Sequence, residues 1–471
     1  MRVPRPRTLF LTGLALLAIA VVAAVFFAKP QRRPPATPTA TTTQPPPPPP
    51  PVAAFAILNA AASSVGPYSA TLRWQATRPA TARVDWGPAA MRPLLVSQVD
   101  RPQTSSAVRL DGLAAATRYV ARIEIRSRRG EADATTVSFE TAPAPSAVAA
   151  STRAGAIVVD GGTFFPLLTW QECPGRWEPD LADGIDLFAG NPCTGLPSLL
   201  TAVQGRALAA GTSDDTPGVT GAGLLGWFYA DEADGRGLSA ASLAPGGAGL
   251  RFLTLTGHFW SGAAPLPEGR GMYPALIART DVVGFDLYPL QSICRPDLLP
   301  GVFDAQRRLV ALAAPRPTFQ WIEVRQMNCP DAASAVTPGT IRVESWLAIA
   351  GGAHGLGFFP GDWGTVVGRT IRGITARIRQ VEPALLRPPV PVRVEYGTPA
   401  VRVSARELNG ALYVIAVNAA RSATPVRFDV PGLDGRTLAI AGTTKVIHTH
   451  GDLLLATLPA MSAYVLVAPP R

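Results

Sequence analysis

Two places in the sequence set carboxylates directly after an apolar run. The stretch GWFYADEADG, residues 226–235, brings Asp231, Glu232 and Asp234 together, and the run TFQWIEV contains Glu323 near its end. Two carboxyl groups that face one pocket can divide acid, base and nucleophile roles between them, because different environments push their pKa values apart. The sequence therefore predicts a reaction centre built from Glu232 and Glu323, provided that the fold brings them together.

Other polar and aromatic residues follow neighbouring apolar runs. The residues that we expect to contact a substrate are Asp231, His258, Asp286, Tyr288, Trp170 and Trp363. Two of these also have a structural interpretation: His258 as a hydrogen-bonded structural histidine, and Asp286 as an internal carboxylate. Asp214 and Asp215, in GTSDDTPG, are first of all turn residues.

The motif HTHGD has a metal-like composition, with His448, His450 and Asp452 close together. Its HGD portion is also typical of a hairpin turn, and no third ligand is evident. The cysteines lack the C-x-x-C spacing of a zinc site. We therefore expect neither a metal nor a cofactor. A metal-dependent hydrolase is disfavoured because only His258 lies near the end of an apolar run.

Eight apolar runs between residues 150 and 388 must position these side chains. Each is continuous, and polar or charged residues come at its end, as in buried parallel strands. The runs are FFPLLTW (164–170), GIDLFAG (184–190), RALAAGTSDD (206–215), LLGWFYADE (224–232), LRFLTLTGHFW (250–260), VVGFDLYPL (282–290), TFQWIEV (318–324) and GLGFFPGDW (355–363).

Helical segments alternate with the later runs and predict a (β/α)8 barrel of the TIM type. The predicted helices cover residues 303–313, 340–352 and 365–381. The link at residues 215–223 is too short and too rich in glycine and proline for a helix. The link at residues 171–183 contains Pro174 and Pro179, so we expect a barrel with incomplete helices.

Short alternating strands flank the barrel on both sides. Residues 53–145 predict an antiparallel β-sandwich, and ATLRW with Trp74, followed by LAAATRYVARI with Tyr119, resembles the fibronectin type III family. Residues 390–471 predict a second antiparallel β-sandwich. There ALYVIAVNAA and LPAMSAYVLVA resemble the C-terminal sandwich of glycosidases.

The order of motifs in the barrel resembles the clan of retaining glycoside hydrolases with (β/α)8 barrels. In that clan a glutamate after strand four is the acid/base, a position matched by Glu232, and a glutamate after strand seven is the nucleophile, matched by Glu323. The resemblance also implies a tyrosine near the nucleophile, Tyr288, and a tryptophan under the sugar, Trp363. Asp231 stands where the clan usually has asparagine, which leaves open a different substrate or Asp231 itself as the acid.

The resemblance implies hydrolysis of an oligo- or polysaccharide with retention of configuration. In such a reaction one carboxylic acid protonates the leaving oxygen while a carboxylate about 5 to 5.5 Å away attacks the anomeric carbon. The alternative is a surface carbohydrate-binding or scaffold protein on a degenerate, non-catalytic barrel. The short helical links and Asp231 favour this alternative, whereas the paired glutamates favour the enzyme.

Four cysteines, Cys173, Cys193, Cys294 and Cys329, predict two disulfides, and the sequence alone allows three pairings. In the predicted barrel the first two follow runs one and two, and the last two follow runs six and seven. Because neighbouring loops are the ones that can be bridged, we expect Cys173 to pair with Cys193 and Cys294 with Cys329.

The N-terminal segment sets the expected location. Residues 9–28 carry no charge and are long enough to cross a hydrocarbon core of ~30 Å. We expect residues 1–30 to be an uncleaved membrane anchor; the alternative is a cleaved signal peptide and a secreted protein. Residues 31–52 form a proline-rich, extended spacer. The expected product is a single-pass membrane protein with its C-terminal domains outside the cell.

Composition argues against a nucleic-acid partner. The chain of 471 residues has a formal charge of +10, but lysine occurs only at positions 29 and 445, and the arginines are scattered. Nucleic-acid-binding proteins more often carry a basic stripe with interleaved aromatic residues. The densest basic stretch, RSRRG at residues 126–130, is short and lies in a predicted hairpin.

Overall fold

Eight parallel strands close into a barrel at the centre of the described chain. The structure is a computed structural model, and it describes residues 54–470 apart from positions 68, 92, 94, 112, 115, 144–147, 244–245, 262–270, 434 and 442–445. The expected membrane segment, residues 9–28, and the spacer, residues 31–52, lie outside the described residues. Within them, no helix is both long enough and apolar enough to span a bilayer.

An antiparallel sheet precedes the barrel. Its strands are β1 (Ile57–Ser63), β2 (Ser69–Pro88), β3 (Leu95–Asp111), β4 (Arg118–Ser127) and β5 (Ala132–Glu140). The order is β1-β2-β4-β5, and β3 also pairs with β2. Two predicted strands merge into the long β2, because a register shift between Gln75 and Ala82 lets one strand continue. Trp74 and Tyr119 are buried, and the Tyr119 hydroxyl accepts the Ala114 N–H at 2.8 Å.

A small antiparallel sheet leads into the barrel. It consists of β6 (Ala150–Arg153), β7 (Ala156–Val159) and β8 (Gly162–Phe164). Ile157 and Val159 of β7 belong to the same buried cluster as the barrel interior.

All eight predicted parallel strands are present. They are β9 (Leu167–Trp170), β10 (Leu187–Ala189), β11 (Leu208–Gly211), β12 (Leu224–Phe228), β13 (Leu250–Thr256), β14 (Val282–Asp286), β15 (Thr318–Glu323) and β16 (Leu356–Phe359). Each strand pairs in parallel with the next along the chain, and β16 pairs with β9 to close the barrel. The carboxyl ends of all eight strands therefore meet at one face, which we call the mouth.

Aromatic rings fill the barrel interior. Phe228 stacks on Phe252 with ring centroids 5.0 Å apart, and Trp321 packs edge-on against Phe319 at 5.7 Å. The Trp321 indole donates to the Thr254 hydroxyl across the interior at 3.1 Å. The barrel thus has a solid apolar floor below its mouth.

Glycines on neighbouring strands make room for these rings. A Cβ on Gly284 of β14 would lie 2.1 Å from the nearest atom of the Phe319 ring, and one on Gly357 of β16 would lie 2.0 Å from the Trp321 ring. Neither position can carry a larger side chain unless the ring beside it moves.

Among the described residues, seven helices lie between the barrel strands or follow the last of them. They are α1 (Pro174–Ala182), α2 (Leu196–Val203), α3 (His258–Ser261), α4 (Met272–Ala278), α5 (Gly301–Ala313), α6 (Pro338–Gly351) and α7 (Thr365–Leu385), with 3₁₀ turns at Ala240–Ser242, Pro296–Leu298 and Ala332–Ser334. As expected, residues 215–223 contain no helix. The expectation that the prolines prevent a helix after β9 is wrong. Pro174 lies in the first turn, where no intrahelical bond is lost, and Pro179 removes only one bond.

The strands predicted after residue 390 form two antiparallel sheets. Their strands are β17 (Pro389–Val390), β18 (Arg393–Tyr396), β19 (Val401–Leu408), β20 (Ala411–Asn418), β21 (Thr424–Asp429), β22 (Thr437–Ile440), β23 (Val446–His448), β24 (Leu453–Leu458) and β25 (Ser462–Ala468). The larger sheet has the order β17-β19-β20-β25-β22-β23, and the smaller one has β18-β21-β24. Strands β19, β20 and β25 pack against α6, so this region is fixed to the barrel.

Two disulfides tie loops together at the mouth. Cys173 pairs with Cys193, and Cys294 pairs with Cys329, which confirms the predicted pairing. The first bridge joins the loops after β9 and β10, and the second joins the loops after β14 and β15.

Gly284→Ala tests the packing of the interior. The added methyl group collides with the Phe319 ring, so we expect the free energy of unfolding to fall by about 1 to 3 kcal/mol. Denaturant unfolding of the full chain measures this change.

Gly373→Ala is the matched control. Gly373 lies on the exposed side of α7 with nothing within 4 Å of an added Cβ, so alanine should stabilise the helix by roughly 0.5 to 1 kcal/mol. Equal effects of the two substitutions would contradict the account of a filled barrel interior.

Candidate active site

A pair of carboxyl groups meets at the mouth of the barrel. Glu232 lies in the loop after β12, and Asp286 is the last residue of β14. The Glu232 side chain lies close enough to interact with that of Asp286. Burial is the largest cause of a pKa of Asp286 well above that of an ordinary aspartate, and Glu232 raises it further. Asp286 keeps some solvent contact, and both causes favour its protonated form.

Further carboxylates strengthen the negative field around this pair. Burial raises the pKa of Asp231 to about 6, and the charges of Glu232 and Asp214 add to the effect, while Arg236 opposes it. Asp214 accepts a hydrogen bond from the side-chain amide of Gln171, which follows β9. The mouth thus gathers carboxyl groups from three loops, and like-charge repulsion favours the protonated forms.

Asp234 fixes the loop that carries Glu232. It is fully buried, and it accepts the Thr256 N–H at 2.7 Å, the Thr256 hydroxyl at 2.8 Å and the Tyr273 hydroxyl at 2.9 Å. The Thr256 hydroxyl also lies 2.7 Å from Nδ1 of His258. His258 is therefore part of the network that anchors the loop to β13.

Glu232 has a left-handed backbone conformation, with φ of +47°. Such a conformation costs an L-residue other than glycine roughly 1 to 2 kcal/mol, and residues of this kind cluster at functional sites. The three hydrogen bonds of Asp234, two residues along the chain, hold the loop in this shape.

Aromatic residues line the mouth beside the carboxyl pair. Tyr288 stacks on Phe359 with ring centroids 5.8 Å apart and an angle of 19° between the planes. Trp170 is half-buried and packs edge-on against Phe228 and Trp321. Burial raises the pKa of Tyr288 well above its ordinary value, and the neighbouring Asp286 raises it further, so its hydroxyl stays protonated.

Glu323 is the last residue of β15 and so lies at the carboxyl end of its strand, but its carboxyl group is covered by a loop. It is fully buried beneath the loop at residues 287–291, where its carboxylate accepts the Leu290 N–H at 3.0 Å and the Gln291 N–H at 2.7 Å. The buried carboxyl group of Glu344 lies alongside and accepts the Glu323 N–H at 3.3 Å. The carboxyl group whose pKa Glu232 raises is that of Asp286.

Glu323 and Glu344 form what we call the inner carboxyl pair, and burial is the largest cause of their raised pKa values. Burial raises the pKa of Glu323 to about 7, although the two main-chain N–H groups oppose the shift. Burial and the charge of Glu323 raise the pKa of Glu344 well above its ordinary value. The two carboxyl groups hold at least one proton at neutral pH and support the loop that carries Tyr288.

Trp363 lies in the segment after β16, and its ring is covered. It is buried, its indole donates to Asp183 at 2.9 Å, and it packs edge-on against Phe358. The guanidinium of Arg176 in α1 covers its ring at 5.4 Å. Trp363 therefore joins α1 to the end of β16, and it is not available to a sugar.

Sequence reasoning missed two residues of the site. Phe359, the stacking partner of Tyr288, lies two positions after Gly357 and so points to the same side of β16. Strand alternation could have identified it. Asp234 was noticed only as a member of the acidic cluster, and no sequence signal distinguishes its buried carboxylate from its neighbours.

The predicted hairpin motif shows no metal site. His448 ends β23 and its Nδ1 lies 3.2 Å from the Thr437 hydroxyl. Across the part of the chain that the structure describes, no group of three or more histidine, cysteine, aspartate or glutamate side chains is arranged to hold a metal ion.

Comparison with known proteins gives distant structural likenesses. No protein-family profile and no curated protein sequence matches the chain. Among solved structures, a GH30 endoxylanase from Clostridium papyrosolvens C71 has a TM-score of 0.38 and 11% identity, over 65% of this chain and 96% of that one. A β-glucuronidase from Ruminococcus gnavus has a TM-score of 0.32 and 9% identity, over 66% of this chain and 63% of that one.

An Anoxybacillus α-amylase has a TM-score of 0.31 and 11% identity, over 47% of this chain and 59% of that one. The chain thus spans about 60% of the length of the α-amylase and the β-glucuronidase. Likeness at this level does not identify an activity, which has to be inferred from the site itself.

Two substitutions of Glu232 test whether its left-handed backbone conformation is strained. We expect Glu232→Gly to be more stable than Glu232→Ala by about 1 kcal/mol, because only glycine adopts φ of +47° without strain. Denaturant midpoints of the two variants measure the difference. If alanine is as stable as glycine here, the left-handed backbone is not retained in solution.

Because of the inner carboxyl pair, we expect the free energy of unfolding to fall as pH rises. The pKa of Glu323 and that of Glu344 are both raised on folding, so the folded protein binds more protons than the unfolded chain. Their contribution is complete below about pH 4.5 and is lost as pH rises through about 7. We expect Glu344→Gln to flatten this fall by up to about 1.4 kcal/mol per pH unit.

The free energy of unfolding, measured from pH 4 to pH 8, tests this expectation. Glu407→Gln, which changes an exposed glutamate of β19, is the matched control. A Glu344→Gln variant with the same pH dependence as the parent and the control would show that the buried pair does not titrate in this range.

Proposed function

We propose that the chain is a glycoside hydrolase that acts on an oligo- or polysaccharide through Asp286 and Glu232. The observation that carries this proposal is the gathering of Glu232, Asp231 and Asp286 where β12 and β14 end at the barrel mouth. Burial and Glu232 both favour the protonated form of Asp286. A carboxyl group that gives a proton and a second one that attacks are the two groups that hydrolysis of a glycosidic bond with retention requires.

The proposed reaction retains configuration. Asp286 gives its proton to the leaving glycosidic oxygen while a Glu232 oxygen attacks the anomeric carbon, so the bond to the leaving group breaks as the bond to Glu232 forms. Water then attacks the same carbon, its proton passes to Asp286, and Glu232 is released. A retaining mechanism needs carboxyl groups about 5 to 5.5 Å apart, whereas an inverting mechanism needs a wider separation that holds a water between them.

Neighbouring residues have supporting roles in this proposal. A sugar bound at the mouth would pack against Tyr288 and Trp170, because the apolar face of a pyranose ring suits an aromatic side chain. Asp231, held beside the pair, would accept hydrogen bonds from sugar hydroxyls. Glu323 is a positioning residue here, since its hydrogen bonds hold the loop that carries Tyr288.

A second candidate function is a non-catalytic, carbohydrate-binding barrel. The observation that favours it is the burial of Glu323, the glutamate that the resemblance assigns as nucleophile, with both oxygens occupied by main-chain N–H groups. The aromatic mouth would bind sugar in either case, and only covalent chemistry distinguishes the two functions.

The proposed setting is the cell surface. Residues 9–28 would anchor the chain in the membrane, and the proline-rich residues 31–52 would hold the folded part away from it. In this proposal the fibronectin type III-like residues 53–145 are a further spacer, and residues 390–471 are a glycosidase-type sandwich that supports the barrel. The two disulfides agree with an oxidising compartment.

A panel of activated 2-fluoroglycosides tests the proposed reaction on the full chain. We expect one sugar of the panel to form a covalent adduct, and peptide mapping by mass spectrometry should place it on Glu232. Asp286→Asn should slow turnover by about 10²- to 10⁴-fold, because it removes the proton donor. Since these probes are charged or very polar, labelling of intact cells would also test the external location.

Asp297→Asn is the matched control, because Asp297 is an exposed aspartate whose partner is Arg295. An adduct on Glu323 would overturn the assignment of Glu232 and restore the two-glutamate arrangement. Saturable sugar binding without an adduct or turnover would instead identify the non-catalytic function.

A further inference from the structure

A cavity of about 760 Å³ lies at the end of the barrel opposite the mouth. Its walls include Pro315 and His354, which precede β15 and β16, together with Val310 of α5 and Val403 of β19. Residues that precede barrel strands lie at the amino ends of those strands, so the cavity is remote from the carboxyl pair. It lies where the barrel meets the C-terminal sheets.

The arginines of the described lining make its net charge positive. Four arginines, Arg307, Arg316, Arg387 and Arg406, contribute to its lining. None of the described residues that line it carries a carboxylate. Positive groups around a concave, partly dry space concentrate anions, because the low dielectric of the walls weakens screening.

Arg406 is the central group. Only 2% of its surface is exposed, and its two Nη atoms donate to the main-chain oxygens of Ala405 at 3.1 Å and Ile349 at 3.4 Å. Among the described residues its buried Nε has no hydrogen-bond partner. Burial lowers the pKa of Arg406 to about 10, and no acidic neighbour offsets the shift. A buried cation with an unused donor is unfavourable unless an anion compensates it.

Two further polar groups lie beside this guanidinium. Ser404 is two residues before Arg406 in β19, so both side chains point to the same face, and its buried hydroxyl lacks a partner among the described residues. Nδ1 of His354 accepts the Thr318 N–H at 3.4 Å, which places the proton of the neutral ring on Nε2. Nε2 faces Gly155, another lining residue. Donors thus approach the cavity from β19 and from the segment before β16.

The rest of the lining is apolar. Val310, Leu385, Leu386 and Val403 contribute to it, and the volume lies within the range of ~300 to 1,000 Å³ for small-molecule sites. An inorganic ion alone would leave most of this space empty. We infer that the cavity binds a small organic anion, with its carboxylate or phosphate on Arg406 and Ser404 and its apolar part against the aliphatic wall. This binding site is independent of the proposed hydrolase activity.

Matched six-carbon probes test the inference on the full chain. We expect hexanoate or hexyl phosphate to bind at one site per chain in isothermal titration and to raise the unfolding temperature, whereas hexanol, which lacks the charge, should do neither. The ratio of the two affinities identifies carboxylate or phosphate as the preferred group. Arg406→Met should weaken binding at least tenfold, because it keeps the volume and removes the charge.

Arg308→Met is the control, since Arg308 is exposed on α5 and does not line the cavity. Ser404→Ala is a second variant, expected to weaken binding several-fold with little effect on folding, which near-ultraviolet circular dichroism checks. Binding of neither anion at millimolar concentration would overturn the inference. So would anion binding that is the same in the parent, Arg406→Met and Ser404→Ala proteins.

Discussion

The dry, aromatic interior of the barrel is the constraint on which the rest of the structure depends. Phe228, Phe252, Phe319 and Trp321 fill the space, and glycines on adjacent strands make that filling possible. Within this interior the Trp321 indole finds its partner in the Thr254 hydroxyl. The carboxyl groups that follow the strands thus rest on an apolar floor, and burial of this kind raises the pKa of Asp286.

Two other buried arginines of the chain differ in whether a carboxylate compensates their charge. Arg379 of α7 pairs with Asp186 and Glu382, and this compensated cluster holds the helix to the amino ends of the strands. Arg406 is buried to a similar extent and has only main-chain oxygens as partners. A buried charge that is fully paired stabilises a particular packing, whereas one that is not is a candidate for function.

Much of the fold could be predicted from the sequence because short runs of apolar residues identify the strands and their order along the chain. Each of the eight apolar runs became a strand in the expected order, and the loop positions of the cysteines then gave their pairing. The proline effect was misjudged at α1, because the position of a proline within a helix matters more than its presence. Strand and helix positions depend on near neighbours, which a single sequence contains.

The site could be predicted only in part. The strand ends that carry Glu232 and Asp286 were correctly located, but their mutual contact depends on how the loop after β12 turns, which the buried Asp234 controls. Glu323 was placed at the end of the right strand, yet the path of residues 287–291 covers it. Loops determine which groups contact the side chains at strand ends, and patterns in the sequence do not predict loop conformations.

The two disulfides bridge some of the loops at the mouth and leave others without a covalent bridge. One bridge joins the loops after β9 and β10, and the other joins those after β14 and β15. The chain has only four cysteines, so the loops after β11, β12 and β13 carry no covalent tie. Asp286 therefore precedes a bridged loop, and Glu232 lies in an unbridged one. The loop that carries Glu232 thus keeps its shape through hydrogen bonds such as those of Asp234, whereas the loop after Asp286 is also held by a covalent bridge.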